Sequence, residues 1–348
     1  MTHGSGYPSI GFLGTGSYLP DRVVTNDELA ERIPDCTAEW ISRKTLIEAR
    51  RYAAAGQATS DLAAAAADSA LIRCGITADD IDFLIVSTST GDFPQPPTAY
   101  LVQELIGARN AACFDVNAVC AGFVYAVELA RGLLLSRPGT RALVVAADLY
   151  SRILDFDDRR TAALFGDGAG AAVLGEVPAP YGILEADLVS MGEAQALIKV
   201  AAGGSRNPAS PATLAAGEHF FRMDGRGVRD FVMDTVPPIL HKMLARAGTS
   251  AEDVNCFVPH QANGVLVGEL AERCGLGSVH THLTVSRYGN VGSASVAVAL
   301  DDAERRGLLA DGALVLLAGF GGGMSIGALL TRWRTIGAGV PQCPAGAI

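Results

Sequence analysis

The sequence predicts an α/β protein built from two duplicated halves, and two observations carry that prediction. The chain resembles itself at a shift of 173 residues (position 71 onto 244), and its apolar runs are short and unbroken rather than alternating. At that shift Leu71-Ile-Arg-Cys-Gly-Ile-Thr-Ala-Asp-Asp-Ile-Asp-Phe83 falls on Leu244-Ala-Arg-Ala-Gly-Thr-Ser-Ala-Glu-Asp-Val-Asn-Cys256. The same register lays Asn117-Ala-Val-Cys-Ala-Gly-Phe-Val124 on Asn290-Val-Gly-Ser-Ala-Ser-Val-Ala297. Two distant segments agreeing on one offset indicate duplication.

In each copy an Ala-rich segment, Asp61 to Cys74 and Arg229 to Ala247, predicts a helix. Each ends at a glycine, Gly75 or Gly248, suited to a left-handed C-terminal position. The runs that follow, Phe83-Leu-Ile-Val-Ser87 and Cys256-Phe-Val-Pro259, read as strands covered by helices on both faces. Ala142-Leu-Val-Val-Ala-Ala147 and Ala313-Leu-Val-Leu-Leu-Ala318 repeat the pattern. The halves are set at residues 1–177 and 178–335, each a mixed sheet with helices, packed into one layered body; residues 336–348 are expected to be a disordered tail.

Composition narrows the function. With 348 residues, 49% hydrophobic and 18% charged, the chain can bury a large core. A net charge of −10 disfavours nucleic acid or an anionic membrane as partner, since either calls for surplus Lys and Arg. Met1 to Ile10 lacks a basic stretch leading into an apolar run, and no segment is expected to span a bilayer. The cysteines at 36, 74, 113, 120, 256, 274 and 343 show no CxxC spacing. That predicts a reducing cytoplasmic setting, with no zinc cluster and no metal site.

Cys120 is the candidate nucleophile. It lies between the strand-like Ala112-Cys-Phe-Asp-Val116 and a helix expected from about Ala121 to Leu135, so its sulfur would face unpaired amides at a helix N-terminus and its thiol is expected to be acidified. His260 follows the Cys256–Pro259 strand, at the end of the sheet where α/β sites form. Asn290 stands three residues before Ser293, the counterpart of Cys120 in the second copy. The side chains of His260 and Asn290 could hold an oxygen carrying developing negative charge. Gly319-Phe-Gly-Gly-Gly-Met-Ser-Ile-Gly327 is too glycine-dense for a core strand, so backbone is expected to approach a neighbour closely there. Phe165-Gly-Asp-Gly-Ala-Gly170 leads into an apolar strand rather than a dinucleotide loop. Met191 to His219 reads as a long loop and a candidate for shaping a pocket.

Gly14-Thr-Gly-Ser-Tyr-Leu-Pro20, Asn117 to Phe123, Gly166 to Gly170, His260-Gln-Ala-Asn263, Tyr288-Gly-Asn290 and Gly319 to Gly323 together resemble β-ketoacyl-acyl carrier protein synthase III across residues 10–332. The resemblance implies the five-layered αβαβα thiolase fold, a homodimer, and Cys120, His260 and Asn290 as catalytic residues. It further implies Cys120 acylated by an acyl-CoA, then decarboxylative condensation with a malonyl group on acyl carrier protein, in fatty-acid initiation or polyketide priming. Coenzyme A thioester is the substrate and no cofactor is implied. The amides of Cys120 and Gly322 would form an oxyanion hole. Trp40 and Arg152 would flank the adenine, Asn263 and Gln261 would lie near the substrate, and Phe93 would cross the dimer interface to close the partner's acyl pocket.

The chain departs from the family's pattern at Lys44-Thr-Leu-Ile47 and Glu48, and at Gly264-Val265, where an arginine docking the carrier protein is usual; Arg226 and Arg229 are candidate substitutes. An alternative is acyl transfer from Cys120 to a hydroxyl or another carrier without decarboxylation.

Overall fold

The computed structural model describes residues 8–336. The tail expected at 336–348 lies outside these from 337 onward, as does Cys343. Two five-stranded mixed sheets share one order. In the first, Ser9–Tyr18, Asp167–Val177, Ala142–Leu149, Phe83–Ser87 and Ala112–Val116 are neighbours in turn; in the second, Gly182–Ser190, Ser325–Arg332, Leu314–Gly321, Cys256–Pro259 and His280–Thr281 follow the same sequence. The three strands nearest the site run parallel in each sheet, and the remainder pair antiparallel.

Helices Gly122–Ser136 and Ala294–Arg305 lie between the sheets, and their apolar faces form one continuous core with residues of both, from Phe123 and Val127 to Val298 and Leu317. Helix Thr59–Cys74 covers the outside of the first sheet. Helices Gly225–Arg246 and Gly264–Arg273 cover the second. The result is the five-layered αβαβα thiolase fold. Gly75 and Gly248 end their helices at φ 66° each, as the duplicated pattern predicts.

Two expectations change. Val119–Ser136 does have the length and apolar character of a bilayer span. It is apolar because it packs between two sheets, and its Glu128 pairs with Arg131. The glycine-dense stretch 319–327 is core strand after all: Leu314–Gly321 and Ser325–Arg332 form a buried antiparallel hairpin. Gly319 and Gly321 occur there because Ala121 and Cys120 leave no space for a Cβ at either position.

Candidate functional site

The nucleophile turn is built by local hydrogen bonding. After the Ala112–Val116 strand, Asn117 Oδ1 accepts the Val119 N–H (3.2 Å), and Val119 sits at φ 48°, in the left-handed region. The copy does the same, with Asn290 Oδ1 accepting the Gly292 N–H (2.9 Å) and Gly292 at φ 58°. Glycine adopts this conformation freely; a β-branched valine is strained by on the order of 1–3 kcal/mol. The strained residue immediately precedes Cys120, which begins the turn into Gly122–Ser136.

The second half closes over this turn. A Cβ on Gly319 would lie 2.8 Å from Ala121 Cα, and one on Gly321 would lie 2.6 Å from Cys120 Cβ. Gly322 opens the hairpin turn beyond, and Ser325 Oγ lies 3.0 Å from both the Ala118 and the Gly322 carbonyl oxygens, tying the two turns together.

His260 leaves the Cys256–Pro259 strand with its N–H donated to the Ala318 carbonyl (2.7 Å) and its ring edge-on to Phe320, centroids 5.3 Å apart. Its Nδ1 is buried without a partner among the described residues. Burial pulls its pKa down to about 3, so the imidazole is neutral at physiological pH. Asn290 is clamped through its backbone, its N–H donating to the Leu164 carbonyl (2.9 Å) and its carbonyl accepting the Gly166 N–H (2.9 Å). With Oδ1 held by Gly292, the Nδ2 hydrogens are the group this side chain can offer.

Cys120, His260 and Asn290 line one cleft of about 380 Å³, open at its mouth. Its wall is otherwise apolar: Val119, Phe165, Phe320 and Leu266, with Ile198 from the segment expected to be a loop and Phe221 and Met223 from just beyond it. The segment 191–219 is not all loop, because its strand Ile198–Val200 pairs antiparallel with Phe221–Met223, which follows it, and the pair brings those three side chains to the cleft. The acidified thiol is not found. Burial pushes the Cys120 thiol up and the Asp148 carboxylate adds to the rise, outweighing the hydrogen bond of Tyr150.

The remaining expected residues separate into groups. Gln261 does not face the cleft. It is buried, its Nε2 donates to the Pro259 (2.8 Å) and His282 (3.1 Å) carbonyls, and its Oε1 accepts the Thr284 (2.9 Å) and Val285 (3.1 Å) N–H groups. It braces the His260 loop against the segment leading to Asn290. Asn263 caps helix Gly264–Arg273, its Oδ1 accepting the Leu266 N–H (2.8 Å). Arg152 is turned away from Trp40 onto the carbonyls of Ala54, Ala55 and Gln57; the guanidinium over the Trp40 ring is that of Arg159, 5.0 Å from its centroid. Phe93 is 58% exposed, outside the core. Arg159 was hidden in a charged run, Asp157-Asp-Arg-Arg160, that looks like solvated surface; Tyr150 and Asp148 lie at the C-terminal end of the Ala142–Leu149 strand, where position alone could have flagged them. Among the described residues no cluster of three or more His, Cys, Asp and Glu side chains is placed to hold a metal.

Comparisons with known proteins place the chain in a family. Residues 114–192 match the family described as 3-oxoacyl-[acyl-carrier-protein (ACP)] synthase III, and residues 244–333 match its C-terminal part. An acetoacetyl CoA synthase of Streptomyces sp. (strain CL190) is 49% identical over 92% of this chain and 98% of its own. A β-ketoacyl-[acyl-carrier-protein] synthase III of Caldanaerobacter subterraneus subsp. tengcongensis is 40% identical over 93% of this chain and 97% of its own. Among solved structures, the priming β-ketosynthase of the R1128 polyketide pathway superposes with a TM-score of 0.86 at 34% identity, covering 94% of this chain and 98% of that one. With both family segments in place and relatives matched along nearly their whole length, the chain belongs to the 3-oxoacyl-[acyl-carrier-protein] synthase III family.

Proposed function

We propose that this protein is a priming ketosynthase that joins an acyl group from coenzyme A to a decarboxylated malonyl thioester, in fatty-acid initiation or polyketide priming. The observation that carries the reading is the convergence of Cys120, His260 and Asn290 on one apolar cleft. Neutral His260 accepts the Cys120 proton as the sulfur attacks the primer thioester; the carbonyl oxyanion is held by the Cys120 and Gly322 amides; coenzyme A leaves with the proton. A malonyl thioester then loses carbon dioxide, and its enolate oxygen takes hydrogen bonds from the imidazole N–H and Asn290 Nδ2. The enolate carbon attacks the acyl carbonyl, and Cys120 leaves as a thiolate that takes up a proton from solvent to regain the neutral thiol. The thioester is a substrate, and the sequence of steps calls for no cofactor. Trp40 and Arg159 would hold the adenine between them, and Asn263 would line the approach of the substrate arm.

The acceptor has a second reading, favoured by one observation. Arg229, a candidate substitute for the missing carrier-docking arginine, is already engaged by Glu269 and Asp230. An acidic carrier protein finds no free cation at that arginine, whereas a malonyl group on coenzyme A does not need one; the Streptomyces relative is named for a coenzyme A product.

The homodimer is likewise proposed. Phe93, Tyr100 and Leu105 are exposed apolar side chains near the unpaired edge strand Ala112–Val116, a face suited to a second copy, where Phe93 could reach the partner's cleft.

Four outcomes are expected. Incubated with a panel of acyl-CoA primers and a malonyl thioester, the protein gains the primer acyl mass and the acceptor loses carbon dioxide. Cys120→Ala shows neither; Asn290→Ala acylates but condenses about 10²–10³-fold more slowly, and His260→Ala is slowed in acylation as well as in condensation. Acylated enzyme beside an unchanged malonyl acceptor would instead support transfer to a hydroxyl. Malonyl-CoA outperforms malonyl-carrier protein in kcat/KM, and Glu269→Ala with Asp230→Ala, which together release Arg229, narrows the gap several-fold at low salt (about 1 kcal/mol); a carrier preference in the parent enzyme rejects the second reading. Sedimentation equilibrium gives a dimer mass, and a monomer at working concentration rules out the shared pocket. Finally, NMR of the His260 imidazole shows no protonation between about pH 5 and pH 8. Only the unfolded chain takes that proton at the ordinary 6.5, so this residue's contribution to stability is lost as pH falls from there toward about 3. A titration midpoint near 6.5 contradicts the buried neutral imidazole.

A further inference from the structure

Tyr150 follows the Ala142–Leu149 strand and stands beside the nucleophile. Its ring is stacked on Phe165 (centroids 4.4 Å apart) and meets Phe221 edge-on (5.5 Å), so the phenol has one direction. The hydroxyl approaches two partners, Ser89 Oγ at 3.1 Å and the Cys120 sulfur. Ser89 Oγ in turn donates to Asp148 (3.1 Å). The same carboxylate accepts the Ser89 N–H (2.9 Å), Thr90 Oγ1 (2.8 Å) and the Ser293 N–H (2.7 Å). Every partner of Asp148 is a donor, so the single Ser89 hydrogen is committed to it and a Ser89 lone pair faces Tyr150. The phenol hydrogen therefore has a choice of acceptors. A neutral thiol accepts weakly and leaves it on Ser89; a thiolate, charged and surrounded by apolar side chains, draws it over.

We propose that Tyr150 is a positioning residue for the acylation step, its hydroxyl hydrogen turning from Ser89 to the Cys120 sulfur as the thiolate forms. The turn is a rotation about the phenol C–O bond and breaks no covalent bond; the thiol proton itself passes to His260. The titratable groups facing Cys120 among the described residues are Asp148 and Tyr150 from the first sheet and His260 from the second. The inference rests on Cys120 being the nucleophile, but not on what the acyl group is transferred to.

The test is the rate at which iodoacetamide alkylates Cys120, followed on its own peptide by mass spectrometry across pH. That reading is independent of condensation, so a failed condensation assay leaves it standing. Tyr150→Phe keeps the ring and removes the donor. Alkylation at neutral pH is expected to fall about tenfold and its pH midpoint to rise by about one unit. Ser89→Ala removes the competing acceptor and is expected to speed alkylation about threefold, a gain that loss of packing would not produce. A Tyr150→Phe protein with the parent rate and midpoint overturns the proposal. So does a Ser89→Ala protein slowed like Tyr150→Phe, and that arm decides alone if Tyr150→Phe does not fold by circular dichroism.

Discussion

Where the halves meet, backbone presses on backbone: Gly319 and Gly321 lie against Ala121 and Cys120 with no space for a methyl group between them. A side chain at either glycine would push the hairpin off the nucleophile turn, and the Gly322 amide and Phe320 would move with it. Phe320 supports the ring of His260, and Ala318 in the same strand holds the His260 N–H. The position of the sulfur relative to the imidazole is thus set by the fit of one strand against one turn, and the central helices fix that fit by packing both sheets onto a shared core.

Duplication explains why the site is asymmetric although the fold is not. Under the shift that superposes the halves, Cys120 corresponds to Ser293, His260 to Ser87, and Asn290 to Asn117. Each half keeps the asparagine turn, but only one keeps the thiol and only the other the imidazole. The unused turn is sealed by the protein's own groups, with the Ser293 N–H donating to Asp148 (2.7 Å) and Ser293 Oγ to the Ser87 carbonyl (3.0 Å). Asp148 occupies, in the second copy, the kind of place a substrate oxyanion would take in the first.

Period, punctuation and self-similarity made the layered architecture legible, because the helices and strands that build it are regular and repeated. Cys120, His260 and Asn290 were legible for the same reason, lying at element ends that the duplication marks twice. What escaped was decided by contacts between residues far apart in sequence. Gln261 looked like a substrate ligand beside His260, yet its amide is consumed by four backbone groups. Arg152 and Arg159 are both near the right segment, and only the fold shows which guanidinium reaches Trp40. The glycines of 319–327 signalled close approach correctly but were read against a strand, since propensity counts a missing Cβ as a cost and cannot see the neighbour that requires it.

The electrostatics follow from the same burial. A cysteine at a helix start was expected to be acidified, but the thiol is buried and the Asp148 carboxylate, hydrogen-bonded yet with no cation paired to it among the described residues, lies close by; both raise the thiol. His260, with no carboxylate behind its Nδ1, is pulled the other way. The two shifts leave a neutral thiol facing a neutral imidazole, instead of the ion pair in which a protonated imidazole could no longer accept a proton. An uncharged pair can be buried at small cost, whereas separated charges in an apolar cleft are expensive until something compensates them. In the proposed mechanism charge arises only as substrate and the oxyanion-hole amides come together around it, which ties thiolate formation to the presence of the thioester it attacks.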